Sequence, residues 1–385
     1  MKRRLHLLIL TAIVVTCLLL LFSCGAVPDP THEKDISADF SAIAIQSEDC
    51  DVCILPATDG KTHISAALRR GYTLTAEVID ATLIVRVEDT RAWWQKLFSR
   101  PSLLTVTLGG SEYGDLTIEG ETGDIEVGDG FSFKNVEISL STGDASLTSV
   151  VADALAFTGS TGDLALSDVT VAGDIGIKQS TGDCVLTSVF ASGLTLDGST
   201  GDAYLTDLTV MGAIDTQRST GKTVATRVAA ASLSAVADTG RMEFTDVTTV
   251  GALTVTTTTG KSTHTNIKAG SVGIEADTGD VTLSGVTSAG ALHIETSTGN
   301  ITLADVLVGS MVLLADTGNV TLERVDAADI DITTDTGHVE GTLLTEKVFI
   351  ARSDTGRIDV PETTSGGRCK VVTDTGRIQL SVVEQ

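Results

Sequence analysis

Apolar and polar residues alternate along most of this chain in short segments that return every 19 or 20 residues. A period of two indicates a strand with one buried face. Each unit therefore predicts two strands, joined by a second turn that often contains glycine. In the unit that begins at Thr161, the apolar positions are Leu164, Leu166, Val169, Ile175 and Ile177.

Each unit begins with the dipeptide Thr-Gly, which recurs at this spacing fourteen times from Thr122-Gly123 to Thr375-Gly376. A fixed period of this length is typical of a solenoid, in which one supersecondary unit stacks on the next. Glycine fits a corner at which the backbone needs a positive φ. We therefore interpret every Thr-Gly as the corner of one coil.

The sequence predicts an all-β fold, a parallel β-helix (β-solenoid) of about 14 coils of 19–20 residues, preceded by a degenerate β-rich capping region. Equivalent strands would stack about 4.8 Å apart, which gives a rod roughly 60 Å long with aliphatic ladders inside. The composition supports this prediction, because aromatic residues make up only 4% and there are 38 glycines. Such a composition suits short strands joined by tight turns.

Four parts are predicted along the chain. Residues 1–24 are expected to be a signal peptide with a lipobox or a membrane anchor, and residues 25–39 a tether. Residues 40–115 form a β-rich cap region, and residues 116–385 form the solenoid. Terminal units of a solenoid are atypical because they cover its open end, so we expect residues 40–115 to begin the same stack.

The N-terminus indicates export. Three positive charges within the first four residues precede an uncharged apolar run from Leu7 to Phe22, the order found in export segments. Leu21-Phe22-Ser23-Cys24 follows and resembles the lipobox of bacterial lipoproteins, which implies lipidation of Cys24. An uncleaved membrane anchor and plain secretion are the alternatives. We expect an exported protein that is anchored to the membrane at the cell surface.

The acidic balance narrows the range of partners. Lys and Arg number 26 against 51 Asp and Glu, a net charge of −25. Nucleic acid needs a basic footprint, so none is expected as a partner. Gly221-Lys222-Thr223 imitates the end of a phosphate-binding loop, but Thr216 stands where that loop needs glycine, so no nucleotide is expected. Acidity favours cations or cationic partners.

The position after Thr-Gly is acidic in five consecutive units. Stacked neighbours would lie about one strand spacing apart, where like charges repel. Either solvent and salt screen an exposed corner, or a hard cation such as Ca²⁺ bridges the carboxylates. No other cofactor is expected. The residues of this acidic column are Asp124, Asp144, Asp163, Asp183 and Asp202.

One segment departs from the rest of the chain. Residues 91–100 contain both tryptophans, Trp93 and Trp94, and three basic residues in an otherwise acidic, aromatic-poor sequence. A hydrophobic plug against the first coil is one interpretation. An interfacial contact with the membrane beside the anchor and a partner-binding hot spot are the others.

No catalytic residue is predicted, and we do not expect an enzyme. Asp-Thr-Gly occurs at six corners, but the same triplet in aspartic proteases works as a pair of loops, not as a ladder. His264 replaces an apolar inner residue and no Ser or Cys nucleophile accompanies it, so we interpret it as a core residue. Cys50 and Cys53 read as strand residues on opposite faces, which predicts packed thiols.

The Ser-Thr-Gly-Asp and Asp-Thr-Gly repeats, the degenerate β region and the N-terminal anchor resemble the bacterial putative-adhesin β-strand-repeat family, whose domains have no known function. The resemblance extends from about Phe40 to the C-terminus, implies a parallel β-helix on the cell surface, and supplies no site residues. Our first hypothesis is a non-enzymatic, membrane-tethered solenoid that binds an extracellular protein or glycan. The alternative is an envelope sensor or decoy that binds cations or cationic peptides through the acidic column.

Overall fold

The computed structural model describes residues 32–68, 71–91 and 102–383. These described residues form strands and turns and contain no helix. The strands wind into a parallel β-solenoid of about 13 turns. This confirms the predicted fold class, and the number of turns is close to the 14 coils expected from the Thr-Gly count.

The strands fall into three regions along the chain. The N-terminal region contains β1 (His32–Ile36), β2 (Ala42–Pro56), β3 (Thr62–Ala67), β4 (Tyr72–Ile79), β5 (Thr82–Asp89) and β6 (Ser102–Leu108). The first coils contain β7 (Asp115–Thr122), β8 (Ile125–Val127), β9 (Ser132–Thr142), β10 (Ala145–Thr148), β11 (Val151–Thr161), β12 (Leu164–Ser167), β13 (Thr170–Val171), β14 (Asp174–Thr181), β15 (Cys184–Thr187), β16 (Phe190–Ala191) and β17 (Gly193–Thr200). The later coils contain β18 (Ala203–Thr220), β19 (Thr223–Thr239), β20 (Met242–Thr249), β21 (Ala252–Thr259), β22 (Ser262–Ala269), β23 (Ser271–Thr278), β24 (Val281–Thr298), β25 (Ile301–Thr317), β26 (Val320–Thr336) and β27 (Val339–Leu343). The C-terminal region contains β28 (Lys347–Ser353), β29 (Ile358–Asp359), β30 (Gly367–Thr375) and β31 (Ile378–Val382).

Each regular coil has three faces, whereas the sequence predicted two strands. In the coil that begins at Thr181, β15 forms what we call the first face, β16 the short face and β17 the long face. The short face was missed because β16 spans only two residues, too few to show a period of two. In later coils the three strands run together, as in β24.

Equivalent residues pair from coil to coil with little slippage. On the first face Leu164 pairs with Cys184, which in turn pairs with Ala203. Register shifts occur where a 20-residue coil meets a 19-residue coil, as between Val210 and Ala213, and once more near the C-terminal end, between Leu322 and Val325. The extra residue of the longer coil therefore lies in the turn between the short face and the long face.

Inward-facing aliphatic side chains form one continuous core along the rod. Cys50, Cys53, Cys184 and Cys369 are all buried, as predicted for packed thiols. Burial raises the pKa of Cys184 and of Cys369 to about 12. These thiols are therefore protonated and unreactive at neutral pH.

The N-terminal end begins the stack out of sequence order. Strand β2 pairs in parallel with β7 and β8 on one side and with β5 and β6 on the other. The rung made by β5 and β6 therefore lies outside β2. Strands β4, β3 and β1 add antiparallel pairs at this end. Since β1 falls within residues 25–39, part of the predicted tether is instead a strand that pairs with β3.

The C-terminal end shows the same kind of exchange. Strand β30 pairs with β26 on one side and with β28 on the other, and β31 lies likewise between β27 and β29. The last coil in the sequence is thus the second to last in space. The coil made by β28 and β29, which we call the terminal rung, forms the far end of the rod.

Candidate binding surface

The Thr-Gly corners bring one backbone position of every coil into close register. The N–H of Gly162 donates to the carbonyl of Thr181 in the next coil, at 3.0 Å. The N–H of the residue after glycine points the opposite way, toward the preceding coil, where no main-chain acceptor lies at hydrogen-bonding distance. The peptide N–H after the corner glycine therefore points opposite to the other N–H groups of the ladder. In the coils from Asp124 to Lys222, a side chain of the preceding coil accepts it.

The acidic column supplies the acceptors for these reversed N–H groups. Asp163 Oδ1 accepts the N–H of Asp183 at 2.7 Å, and Asp183 Oδ1 accepts the N–H of Asp202 at 2.7 Å. Asp51 of β2 begins the column by accepting from Asp124, a member that the sequence did not reveal. The carboxylates thus lie together as predicted, and each makes a hydrogen bond that offsets part of the repulsion between them.

The calcium hypothesis remains a prediction. Within the described ranges, no group of three or more His, Cys, Asp or Glu side chains is placed to hold a metal ion. Each column carboxylate has one oxygen that accepts a backbone N–H. A cation would have to bind through the oxygens that are left.

Some later coils replace the carboxylate with another acceptor, whereas Lys222, Arg241 and Lys261 place a donor at this position. Asn300 Oδ1 accepts the N–H of Asn319, and Asn319 Oδ1 accepts the N–H of His338. The N–H of Arg377 donates to His338 Nδ1. Where the column supplies an acceptor, that acceptor therefore need not carry a negative charge.

A second column of side chains satisfies the corner carbonyl groups from inside the rod. Gln179 donates to the carbonyl of Gly162, and Arg218 Nη1 donates to Gly201 at 2.7 Å. Thr334 and Thr373 make the equivalent bonds to Gly318 and Gly337. Arg218 is 1% exposed, and its burial lowers the pKa of the guanidinium. Sequence reasoning missed this column because Gln, Arg and Thr do not look like inward residues.

His264 is a core residue, as the sequence predicted. Its Nε2 lies 2.6 Å from Ser262 Oγ, and its ring packs edge-on against Phe244. The serine was not anticipated as its partner. Both residues are completely buried, and burial lowers the pKa of His264 to about 3. This pair faces the core and has no access to a substrate.

A third column lies at the corner between the first face and the short face, where residues other than glycine adopt a left-handed backbone. These residues have φ near +55°, and Asp, Asn and Ser tolerate that conformation best. Arg227 pairs with Asp207 of the preceding coil at 2.6 Å, and Arg324 pairs with Asp305 in the same way. Asp, Ser or Asn recurs at a fixed distance after Thr-Gly, and this recurrence could have revealed the third column from the sequence. The members are Ser149, Asp168, Ser188, Asp207, Arg227, Asp246, Asn266, Asp305 and Arg324.

The outward side of the short face is nearly free of charge. From Val151 to Leu307 its paired positions carry a single charged side chain, that of Lys268. Eight coil steps at about 4.8 Å give this column a length of about 38 Å. The column consists of Val151, Thr170, Phe190, Thr209, Ala229, Thr248, Lys268, Thr287 and Leu307.

Large apolar side chains protrude along this side of the rod. Met211 is 66% exposed and Val250 is 85% exposed. Each follows the short strand in a 20-residue coil and lies in the turn that takes up the extra residue. Together with Val151, Phe190 and Leu307 they form what we call the apolar strip, which holds half of the ten large hydrophobic side chains exposed in the described chain.

Other predicted sites lie outside the described residues. These are Cys24, the apolar run from Leu7 to Phe22, and the tryptophans Trp93 and Trp94. Among the residues that are described, no helix is both long enough and apolar enough to cross a membrane.

The corner ladders, the aliphatic core and the exchanged ends define a parallel β-solenoid built from Thr-Gly coils. Residues 40–230 and 288–385 match the family Toastrack DUF4097. The match covers more than half of the chain, which therefore belongs to this family, and it confirms the predicted relationship to a family of domains of unknown function. No curated protein matches the chain.

Solved structures give weaker likenesses. One is described as a putative adhesin from Bacteroides fragilis, with 11% identity, 91% of this chain and 96% of that chain covered, and a TM-score of 0.21. A putative lipid binding protein from Parabacteroides distasonis shows 12% identity, 80% and 96% coverage, and a TM-score of 0.29. A putative cell adhesion protein from Clostridium sporogenes shows 7% identity, 91% and 99% coverage, and a TM-score of 0.15. At these scores the likenesses carry no argument.

Proposed function

We propose that this protein is an exported, non-enzymatic, membrane-tethered β-solenoid that binds an extracellular protein through the apolar strip. The observation that carries the proposal is the strip itself. In a chain with a net charge of −25, a row of nine short-face positions about 38 Å long carries one charged side chain, and five large apolar side chains protrude from this row and the turn beside it. Large apolar side chains exposed along one side of a rod are a feature of interaction sites.

The chemistry of the strip favours a protein partner over a glycan. Its residues are Val151, Phe190, Met211, Val250 and Leu307, and the short-face positions between them carry threonines, Ala229 and Lys268. The fully buried centre of a protein interface is rich in apolar residues and depleted of charge, with methionine enriched. Phe190 is the only aromatic side chain of the strip, whereas a surface that stacks on sugars needs several. The membrane anchor in this proposal is the N-terminal segment that ends in the lipobox-like sequence at Cys24.

The alternative function is capture of cations or cationic peptides by the acidic column. Its support is the register that places five carboxylates at successive corners. The two functions differ in salt dependence. Binding driven by charge fades at high ionic strength, because the screening length falls from about 10 Å at 0.1 M to about 3 Å at 1 M salt. Apolar binding does not.

The test is attachment of cells that display the full chain to surfaces coated with extracellular proteins, with glycans or with cationic peptides. We expect attachment to at least one protein coat at both low and high salt. The double variant Met211→Glu, Val250→Glu should reduce it at least tenfold. Ile79→Glu, an exposed apolar residue on β4 away from the strip, is the matched control and should have no effect.

Three outcomes would count against the proposal. Attachment to glycans alone would show that the partner is a glycan and not a protein. Attachment that disappears in high salt and upon Asp144→Asn, Asp163→Asn and Asp183→Asn, but not in the strip variant, would establish the acidic column as the site. Attachment to none of the coats would remove the adhesive role.

A further inference from the structure

The terminal rung leaves one strand edge open. Strand β28 pairs with β30 on one side, and in the described chain no strand pairs with its other side. Strand β29 likewise pairs only with β31. An open edge presents a row of unpaired backbone N–H and C=O groups to any strand that can align with it.

The middle of β28, residues 348–351, is apolar on both faces, and Lys347 and Arg352 flank it. Val348 and Ile350 point outward, opposite Arg368 and Lys370 of the neighbouring coil, and Ile350 is 53% exposed. Phe349 and Ala351 continue the inner columns. They are only partly buried, whereas Cys369 beneath Phe349 is fully buried. The aliphatic core thus reaches the end of the rod without a cover.

The opposite end of the rod is protected. Strand β1 carries four charged or titratable residues in succession, His32 to Asp35, all of them exposed. Lys34 Nζ donates to the carbonyl of Ala76 in β4 and so occupies part of the β4 edge. Charged side chains, lysine above all, are how proteins block pairing at an edge strand. The terminal rung has no such protection along residues 348–351.

The charge of the terminal rung is balanced, unlike that of the chain. Residues 346–360 contain three acidic and three basic side chains. Lys347 pairs with Asp326 at 2.6 Å, and Arg352 pairs with Asp354 at 3.1 Å. Two rods that met end to end would therefore bring together neutral surfaces and hold their acidic sides more than a screening length apart.

We propose that two copies of this chain associate end to end through their terminal rungs, with β28 of one copy pairing antiparallel to β28 of the other about a two-fold axis. A two-fold contact joins the same patch on both copies, and the stretch 348–351, which is apolar on both faces, matches itself. The partner core then covers Phe349, Ala351 and Ile358. This inference does not depend on the proposed adhesive function.

The test is sedimentation equilibrium of the full chain in a density-matched neutral detergent, together with hydrogen exchange. We expect a dimer at micromolar concentration, with amides of residues 348–352 that exchange more slowly as concentration rises. Ile350→Lys should weaken the dimer at least tenfold and abolish that protection. Val348→Lys is the second variant, and both residues are exposed, so circular dichroism should be unchanged. Val250→Lys, on the apolar strip, is the matched control and should leave the dimer intact.

A wild-type chain that stays monomeric at tens of micromolar would overturn the proposal. So would dissociation by Val250→Lys without dissociation by Ile350→Lys, because that result places the contact on the side of the rod.

Discussion

At the scale of single residues, the corner glycines are required for two different reasons. Eight of them, from Gly123 to Gly279, have a positive φ that disfavours side chains. The corner glycines at 240, 299, 318, 337, 356 and 376 do not have this conformation. At all of these corners, however, a Cβ would approach the backbone carbonyl of the corner beneath it. The sequence analysis predicted the first reason and missed the second, because only the stacked coils reveal it.

Gly182→Ala should lower the free energy of unfolding by about 3 kcal/mol, since overpacking and an unfavourable φ each cost about 1–3 kcal/mol. The new Cβ would lie 1.9 Å from the carbonyl oxygen of Gly162, at a φ of +134°. Gly176→Ala is the control, because its Cβ would meet no atom within 4 Å. Urea denaturation compares the two variants. Equal losses of stability would contradict the role of the stacked corner.

The acidic column makes a separate prediction about hydrogen bonding. Asp163→Ala removes the acceptor for the N–H of Asp183 and should cost about 1 kcal/mol. Asp163→Asn keeps an acceptor oxygen and removes one like charge from the column, so its stability should equal or exceed that of the native chain. Asn300 already plays this part in a later coil.

Chemical denaturation in the presence of a chelator measures both variants. If Asn proves as harmful as Ala, the charge itself matters and a bound cation becomes the better account. Repeating the measurement with added Ca²⁺ then tests that account, because a ligand selective for the native state must stabilise it.

At the scale of the coil, the alternation of 19 and 20 residues has a structural cause. The extra residue is extruded into the turn after the short face, where it is free to point into solvent. Met211 and Val250 occupy this position two coils apart. The corners therefore stay in register although the coils have two lengths. The extra residue of the longer coils supplies two members of the apolar strip, Met211 and Val250.

Deleting Val250 converts a 20-residue coil into a 19-residue coil and should change the free energy of unfolding by no more than about 1 kcal/mol, since an exposed side chain contributes little. Deleting Thr254, inside the neighbouring strand β21, should unfold the coil. A one-residue slip turns every following side chain of a strand to the other face. Thermal unfolding of both deletion variants, followed by circular dichroism, makes the comparison. Similar losses in the two variants would rule out the turn as the place of the extra residue.

The pattern of apolar positions was enough to predict the coils, their register and the core histidine His264, because burial and period-2 alternation are local properties. The short face was not predictable in this way, since strands such as β16 are too brief to carry a period. The inward Arg218 was missed for a different reason. Its place in the core depends on the carbonyl of Gly201, a group that no sequence pattern displays.

At the scale of the whole molecule, the exchanged order of the end coils lay beyond sequence reasoning. Thr355-Gly356 keeps the regular spacing, so nothing in the repeat distinguishes it from a coil that stacks in order. In the rod, however, Gly356 lies over Gly376, which lies over Gly337. Long-range contacts decide which strands a segment pairs with. In a repeated sequence several coils offer equivalent strands, so the sequence does not reveal which of them is chosen.

This exchange at the C-terminal end sets the order in which the rod can be completed. A ribosome delivers residues 347–359 before residues 367–382, yet the earlier segment docks only on the later one. Until β30 and β31 have paired with β26 and β27, the earlier segment has no strands with which to pair in this arrangement. The far tip of the rod therefore takes its final form only after residues 367–382 are in place.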